Sequence, residues 1–293
     1  MRVGIALPSM VPGLTRAVLL AWMRGVDDGP FSVLAAGERI AYPNQEMMAL
    51  LAGAATVTER VRIEATVSAT PMHAAIHVAK QAATIDVLSG GRFVLGVGVG
   101  GRAEDYRAMH ASFARRHARL DEQVATMKRV WNGDAPSEGI SSVGPPPVQP
   151  GGPQLLAAAM GPKSMARSAR WADGLAGFDI TGDAKGIAAG FRHFEDAWAA
   201  AGRDGRPYLQ TSFWFGLDPG APDRVRDYAY RYLRIFGHDA ATAMAGLASA
   251  TSPAAVRDLL HGLADTGCDE AILVATTSEL TDLDAAAELV SGI

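Results

Sequence analysis

Several stretches of the chain carry residues whose types and spacing could do chemistry. Gly96-Val97-Gly98-Val99-Gly100-Gly101 has the spacing GxGxxG, and glycine lets backbone approach a ligand closely because it has no Cβ. A dinucleotide site would require a helix opening directly behind this run and an acidic residue closing the next strand about 20 residues on. Asp121 has the distance, yet LDEQVATMKRVW around it is patterned as a helix, so a ligand-facing strand end or a tight turn competes with that reading. Ala159-Met160-Gly161-Pro162-Lys163-Ser164 turns on glycine and opens a helix with proline at its start. The exposed N–H groups of such a start, with a lysine beside them, suit a phosphate, although many barrel helices begin this way with nothing bound. Val67-Ser68-Ala69-Thr70-Pro71 places small residues at a strand end, where they line a pocket or simply turn the chain. Glu38 and Arg39 follow another strand and read as an acid/base candidate or as a solvated ion pair. His73 and His77 stand four apart on a helical pattern, but no third ligand accompanies them and no metal site is expected. Walker A, GxSxG and HExxH patterns do not occur.

The elements that must position these residues alternate from end to end. Apolar runs at 3–7, 32–36, 61–67, 93–97, 155–159, 174–177, 209–215 and 271–275 read as strands. Helical spacing covers 15–24, 45–58, 73–88, 120–131, 163–172, 183–201, 223–236, 240–250, 253–265 and 283–290, with Asn44 as an N-cap. Eight strands with helices between them predict an α/β fold, a closed (β/α)8 barrel with helical and loop insertions, over a doubly wound open sheet. Residues 1–293 are expected to form a single barrel domain, with the Pro/Gly-rich stretch 136–153 as the one candidate linker.

Composition narrows the classes. There are 27 basic and 31 acidic side chains, giving a net charge of −4, which leaves no basic field for nucleic acid. No apolar run approaches the ~20 residues of a membrane span, and the start MRVGIALPS lacks a signal-peptide layout. Cys268 is the single cysteine, so no internal disulfide or CxxC pair can form. A cytoplasmic protein is expected.

The run AKQAATIDVLSGGRFVLGVGVGG resembles the signature of the bacterial luciferase-like family of flavin- and deazaflavin-dependent oxidoreductases. AGAATVTERVRIEATV, FARRHARLDEQVATMKRVWNG, GPPPVQPGGPQLLAAAMGPKSMARSARWADG and GCDEAILVA extend the resemblance over most of the chain. It implies a (β/α)8 barrel using FMN or coenzyme F420, with the ring at the barrel mouth. It carries cofactor contacts to Val67, Ser68 and Ala69, to Gly98, Gly100 and Glu104, and to Met160. Gly161, Lys163 and Ser164 would take the phosphate. A non-proline cis peptide is implied at Val67–Ser68 or one bond further on. Many members show Gly-Asp-His after strand two; here the residues are Gly37-Glu38-Arg39, leaving Glu38 as the catalytic candidate without its imidazole neighbour. The resemblance further implies a small-molecule substrate, a separate flavin or F420 reductase, and a homo-oligomer. A phosphate-binding isomerase or lyase barrel and a catalytically silent flavin-binding paralogue are the alternative readings.

Overall fold

The computed structural model describes residues 1–293. Eight strands, β1 Arg2–Ala6, β2 Val33–Ala36, β3 Arg62–Ser68, β4 Phe93–Val97, β5 Gln154–Ala157, β6 Gly174–Phe178, β7 Tyr208–Phe215 and β8 Glu270–Ala275, form a closed barrel in chain order. Every neighbouring pair is parallel, and β1 closes on β8 with Val3 opposite Ala271. The layer outside holds α1 Arg16–Asp28, α2 Met47–Val57, α3 Ala75–Leu88, α4 Ala103–Ala108, α5 Arg116–Trp131 and α6 Pro162–Ser168. It continues with α7 Ala184–Ala200, α8 Ala221–Leu233, α9 His238–Ala245, α10 Pro253–Ala264 and α11 Leu280–Ser291. No helix is long and apolar enough to cross a membrane.

Both faces of each strand are covered, which is why the strands read as apolar runs rather than as alternating patterns. Ile5, Leu34, Ile63, Leu95 and Phe213 point outward and pack with Trp22, Leu51, Val78 and Val124 of the helices. Their neighbours Ala6, Val33, Ala35 and Ile272 point inward and fill the barrel.

Local chemistry moves several boundaries. Glu46, rather than Asn44, caps α2, its carboxylate accepting from the N–H groups of Met48 (3.1 Å) and Ala49 (2.6 Å). The polar segment AEDYRA forms the short helix α4, which its lack of an apolar stripe conceals. Strand β5 ends at Ala157; the Ala158 N–H still reaches the Val97 carbonyl at 2.8 Å, and Ala158 and Ala159 go on to line the mouth. The proline-rich stretch is pinned to α3, where buried Asp86 accepts from the backbone N–H groups of Val148 (2.7 Å) and Gln149 (2.9 Å).

The lower end of the barrel holds a buried polar plug. Glu270 accepts from Arg62, from the Tyr208 hydroxyl at 2.9 Å and from the Ser32 hydroxyl at 2.6 Å. Gln210 donates to Glu64 at 2.9 Å, one layer further in. Glu64 is fully buried, and its second oxygen and the Gln210 carbonyl oxygen lack partners. Burial first, then the charge of Glu270, pushes the Glu64 carboxyl up to about 8, against the opposing pull of Gln210 and Arg62. A protonated Glu64 can donate to the Gln210 oxygen, satisfying both orphaned atoms in one acid–amide pair.

This acid makes the fold sensitive to alkali. Its folded value lies above its unfolded one, so the native state holds the proton more tightly; its contribution is complete below about pH 4.5 and is lost as pH rises through about 8. Glu64→Gln should flatten the fall in melting temperature between pH 5 and 9 and should exceed the wild-type melting temperature above pH 8. A melting curve whose pH slope the substitution leaves unchanged contradicts a buried neutral acid.

Candidate active site at the barrel mouth

A cavity of about 550 Å³ opens at the C-terminal ends of the strands. That is the end where barrel active sites lie. Small residues at the strand ends, Ala6, Gly98, Ala158 and Gly177, line its floor from the barrel side, together with Val67, Ser212 and Val274. Strand β3 sets that floor. Its ladder with β4 is regular through Ala65, breaks, and resumes at Ser68, and the Thr66–Val67 peptide inside the break is cis. The cis bond therefore lies one residue earlier than expected, because the irregularity begins directly after Ala65. Val67 is turned over β4: a Cβ built on Gly96 would lie 2.3 Å from the Ala65 oxygen and 2.8 Å from Val67 Cγ1. One built on Gly98 would lie 3.1 Å from Val67 Cγ2 and 3.2 Å from Ala158 Cβ. Gly100 takes a φ of +63°, a left-handed value that favours glycine.

The glycine run thus serves close backbone approach. A helix, α4, does open at Ala103, but Asp121 lies on α5 and bonds Arg167 and the Trp171 indole, far from the role of a ribose partner at a strand end.

The structure gathers seven of the expected site residues around the cavity: Glu38, Val67, Ala69, Gly98, Gly100, Met160 and Ser164. Met160 is 81% exposed, an unusual setting for a thioether unless something covers it. Four others do not border the cavity. Ser68 is buried in the wall and accepts from Gly98 N–H through its carbonyl at 2.8 Å. Glu104 turns to Arg39 at 3.3 Å. Gly161 caps α6 with a φ of +84°, and Lys163 stands exposed on the first turn of that helix. The Ser164 hydroxyl donates to the carbonyl oxygens of Met160 (2.6 Å) and Gly161 (3.0 Å).

Glu38 is more committed than its sequence context indicates. Its side chain is 3% exposed; Oε2 accepts from Ala69 N–H at 2.6 Å and Oε1 meets His73 Nε2 at 2.8 Å. It thereby fastens the end of β3 to the turn that starts α3. Burial disfavours the His73 imidazolium, but the hydrogen bond and charge of Glu38 outweigh it and raise the imidazole above its ordinary value.

Apart from Asp121 and Trp214, the remaining walls come from residues the sequence does not single out. Arg116, His117, Asp121 and Arg167 border one side, with Arg167 ion-paired to Asp121. The Arg116 Nε is buried without a partner. Tyr228, Tyr232, Leu233, Ile235 and Phe236 border the other, all from α8 and the 3-10 turn Arg234–Phe236 that follows it. They join Trp214 of β7 and Phe178 of β6. Their distance along the chain from the glycine run hides them, and an aromatic helix face reads as core.

An eight-stranded parallel barrel with an apolar mouth cavity, with small residues at several strand ends and basic residues at its edge, defines a class of ligand-binding α/β barrels. Residues 1–219 match the luciferase-like monooxygenase family, and the chain belongs to it. A protein of uncharacterised function from Mycobacterium tuberculosis (strain H37Rv) is 33% identical over 205 residues, covering 62% of this chain and 72% of that protein. An F420-dependent secondary alcohol dehydrogenase, solved with an F420–acetone adduct, superposes with a TM-score of 0.78 at 16% identity, covering 98% of this chain and 97% of that one. The oxygenating constituent of 3,6-diketocamphane monooxygenase from Pseudomonas putida, solved with FMN, gives a TM-score of 0.76 at 14% identity, covering 100% and 98%.

The Glu38–His73 pair predicts a pH signature. The folded His73 value is raised, so its stabilising contribution is complete below about pH 6.5 and is lost as pH rises through the folded value. Glu38→Gln should lower the His73 titration midpoint in an NMR titration and destabilise the fold by about 1–2 kcal/mol at pH 5.5–6, with a smaller loss at pH 8.5. An equal loss at both pH values contradicts the charged pair.

Proposed function

We propose that the protein is an oxidoreductase that binds FMN or coenzyme F420 at the barrel mouth and acts there on a small organic molecule. The observation that carries this is the cavity itself. A floor of Gly98, Ala158, Gly177 and Ala6 accommodates a planar fused ring, and 550 Å³ falls in the range of cofactor sites. The donor set fits as well, since the Arg116 guanidinium, which has no carboxylate partner and whose Nε lacks an acceptor, with Ser164 and the exposed Lys163 on α6, suits the phosphate such cofactors carry. When bound, the ring supplies the hydride or oxygen chemistry that side chains cannot perform.

The chain's own residues do the rest. Val67 and Ala69 hold one face of the floor in place. Glu38, with both oxygens engaged, acts in this reading as a positioning residue that fixes the Ala69 N–H and His73. Trp214, Phe178 and the α8 side chains exclude water from the space above the floor. An isomerase or lyase working through a Schiff base is disfavoured, because no lysine borders the cavity and Lys80, Lys128, Lys163 and Lys185 all lie on outer helices. The reading includes a separate reductase supplying electrons and a homo-oligomeric assembly.

Titration with FMN, FMNH2 and F420, followed by absorbance and fluorescence, should give binding of at least one. Binding of none overturns the proposal. Gly98→Val should weaken that binding about tenfold or more, the consequence of overpacking by a side chain in a filled site. In anaerobic stopped-flow with FMN and NADH or NADPH alone, the flavin band should persist. Rapid bleaching without an added reductase would show that nicotinamide is used directly.

A further inference from the structure

The mouth contains a buried cation that its surroundings leave unmatched. Arg102, on the turn between β4 and α4, is 8% exposed and borders the cavity. Its guanidinium lies over the Tyr232 ring at 4.6 Å, and one Nη2–H is donated to the Tyr232 carbonyl near the C-terminal end of α8. Its other N–H groups have no protein acceptor, and no carboxylate lies within ion-pair distance. Glu104 and Asp105 pair instead with Arg39, at 3.3 Å and 3.5 Å. Burial, and then the charge of the neighbouring Arg39, disfavour the Arg102 cation, against the weaker favourable pull of Tyr232 and Asp105. A guanidinium nonetheless stays charged, so this position favours an incoming anion.

What lies beside Arg102 indicates the rest of that anion. The Tyr232 ring is 5.4 Å from Trp214 and 6.4 Å from Phe178, and Phe178 meets Trp214 edge-on at 4.8 Å. All three rings border the cavity, and Phe178 and Tyr232 are exposed in it. Cation and aromatic strip are therefore continuous. Arg116, the other cavity-bordering arginine without a carboxylate partner, stacks on Phe113 instead. Arginine suits a carboxylate better than lysine would, since its planar fork can offer two parallel N–H bonds while a third N–H stays on the Tyr232 carbonyl.

Resting on the reading of the mouth as a cofactor and substrate site, we propose that the substrate is an aromatic carboxylic acid, its carboxylate seated on Arg102 and its ring along Tyr232, Trp214 and Phe178. Arg102 is then the specificity-determining residue. Bridging the carboxylate and the α8 carbonyl, it also ties substrate binding to the position of α8.

The test uses 2-naphthoate and 2-naphthamide, close in shape and different in charge, titrated calorimetrically into the full-length protein. The acid should bind about tenfold tighter than the amide. Arg102→Gln should abolish that preference, Arg102→Lys should keep part of it, and both variants should bind FMN or F420 as wild type does. Equal wild-type affinity for the two probes, no binding of the acid, or a preference that survives Arg102→Gln overturns the proposal. So does Arg102→Gln losing cofactor affinity while keeping the preference, since Arg102 would then serve the cofactor. The wild-type comparison needs no variant, and so stands even if Arg102→Gln fails to fold. Wild-type protein that prefers naphthoate but binds neither FMN nor F420 would refute the cofactor reading and leave the carboxylate site supported.

Discussion

The mouth of this barrel depends on backbone meeting backbone. Between Ala65 and Ser68, β3 leaves its ladder and leans over β4, and the contact between the Ala65 oxygen and Gly96 leaves no space for any side chain. That approach turns Val67 across Gly96 and Gly98 and sets the level of the cavity floor. It also sets where the Ala69 N–H falls, which Glu38 then holds, and through Glu38 the placement of His73. One steric constraint in the strands therefore propagates into two loops and the start of α3. Parallel strands have no short hairpin to correct such a displacement, so the glycine run must absorb it.

Buried charge is divided between the two ends of the barrel, and the division separates stability from function. At the lower end Glu270 is surrounded by Arg62, Tyr208 and Ser32, and its lone pairs are used. Burial works most strongly against the Arg62 cation, but Glu270, Tyr208 and Glu64 together outweigh it and raise its value. Glu64 has no cation of its own, and its proton is the cheapest resolution, since an ionised buried carboxylate without a partner costs several kcal/mol. At the mouth the balance differs. Arg39 is shared by two acids, while Arg102 has a carbonyl and an aromatic face. A group matched by protein atoms holds the fold, and a group matched only in part is available to a ligand.

These same physical causes decide what the sequence discloses. Strands buried on both faces spell out continuous apolar runs, so β4 (FVLGV) and β8 (EAILVA) are legible, and their number implies closure. Of the floor, Gly98 is legible, because a glycine run at a strand end points to close approach or a tight turn, whereas Ala6, Ala158 and Gly177 read only as strand residues. Helix ends are less legible: a carboxylate directly ahead of a helix can cap in place of an asparagine, and Glu46 displaces Asn44. The charged pairing of Glu38 is hidden for a different reason. His73 lies 35 residues on and reads as a helix start with His77 as its natural companion, whereas the fold brings it to Glu38. Arg102 meets Tyr232 across 130 residues, a pairing that no local pattern encodes.

The wall formed by α8 and α9 is built on separate terms from the barrel. Trp214, Val225, Tyr228, Leu233, Ala241 and Ala245 pack as their own apolar cluster, apart from the large core between strands and outer helices. A substitution within that cluster can reshape the wall without disturbing the β3–β4 approach that sets the floor. Trp214 of β7, Val274 of β8 and Arg102 are among the side chains that bridge the two. In the proposed reading, the surface for a planar ring lies on the strands and the surface for the second reactant on the helices that follow β7. Shared fold alone cannot assign a substrate, because the barrel supports many chemistries. In this chain, α8, the turn after it and Arg102 together form the wall that faces the strand-end floor across the cavity.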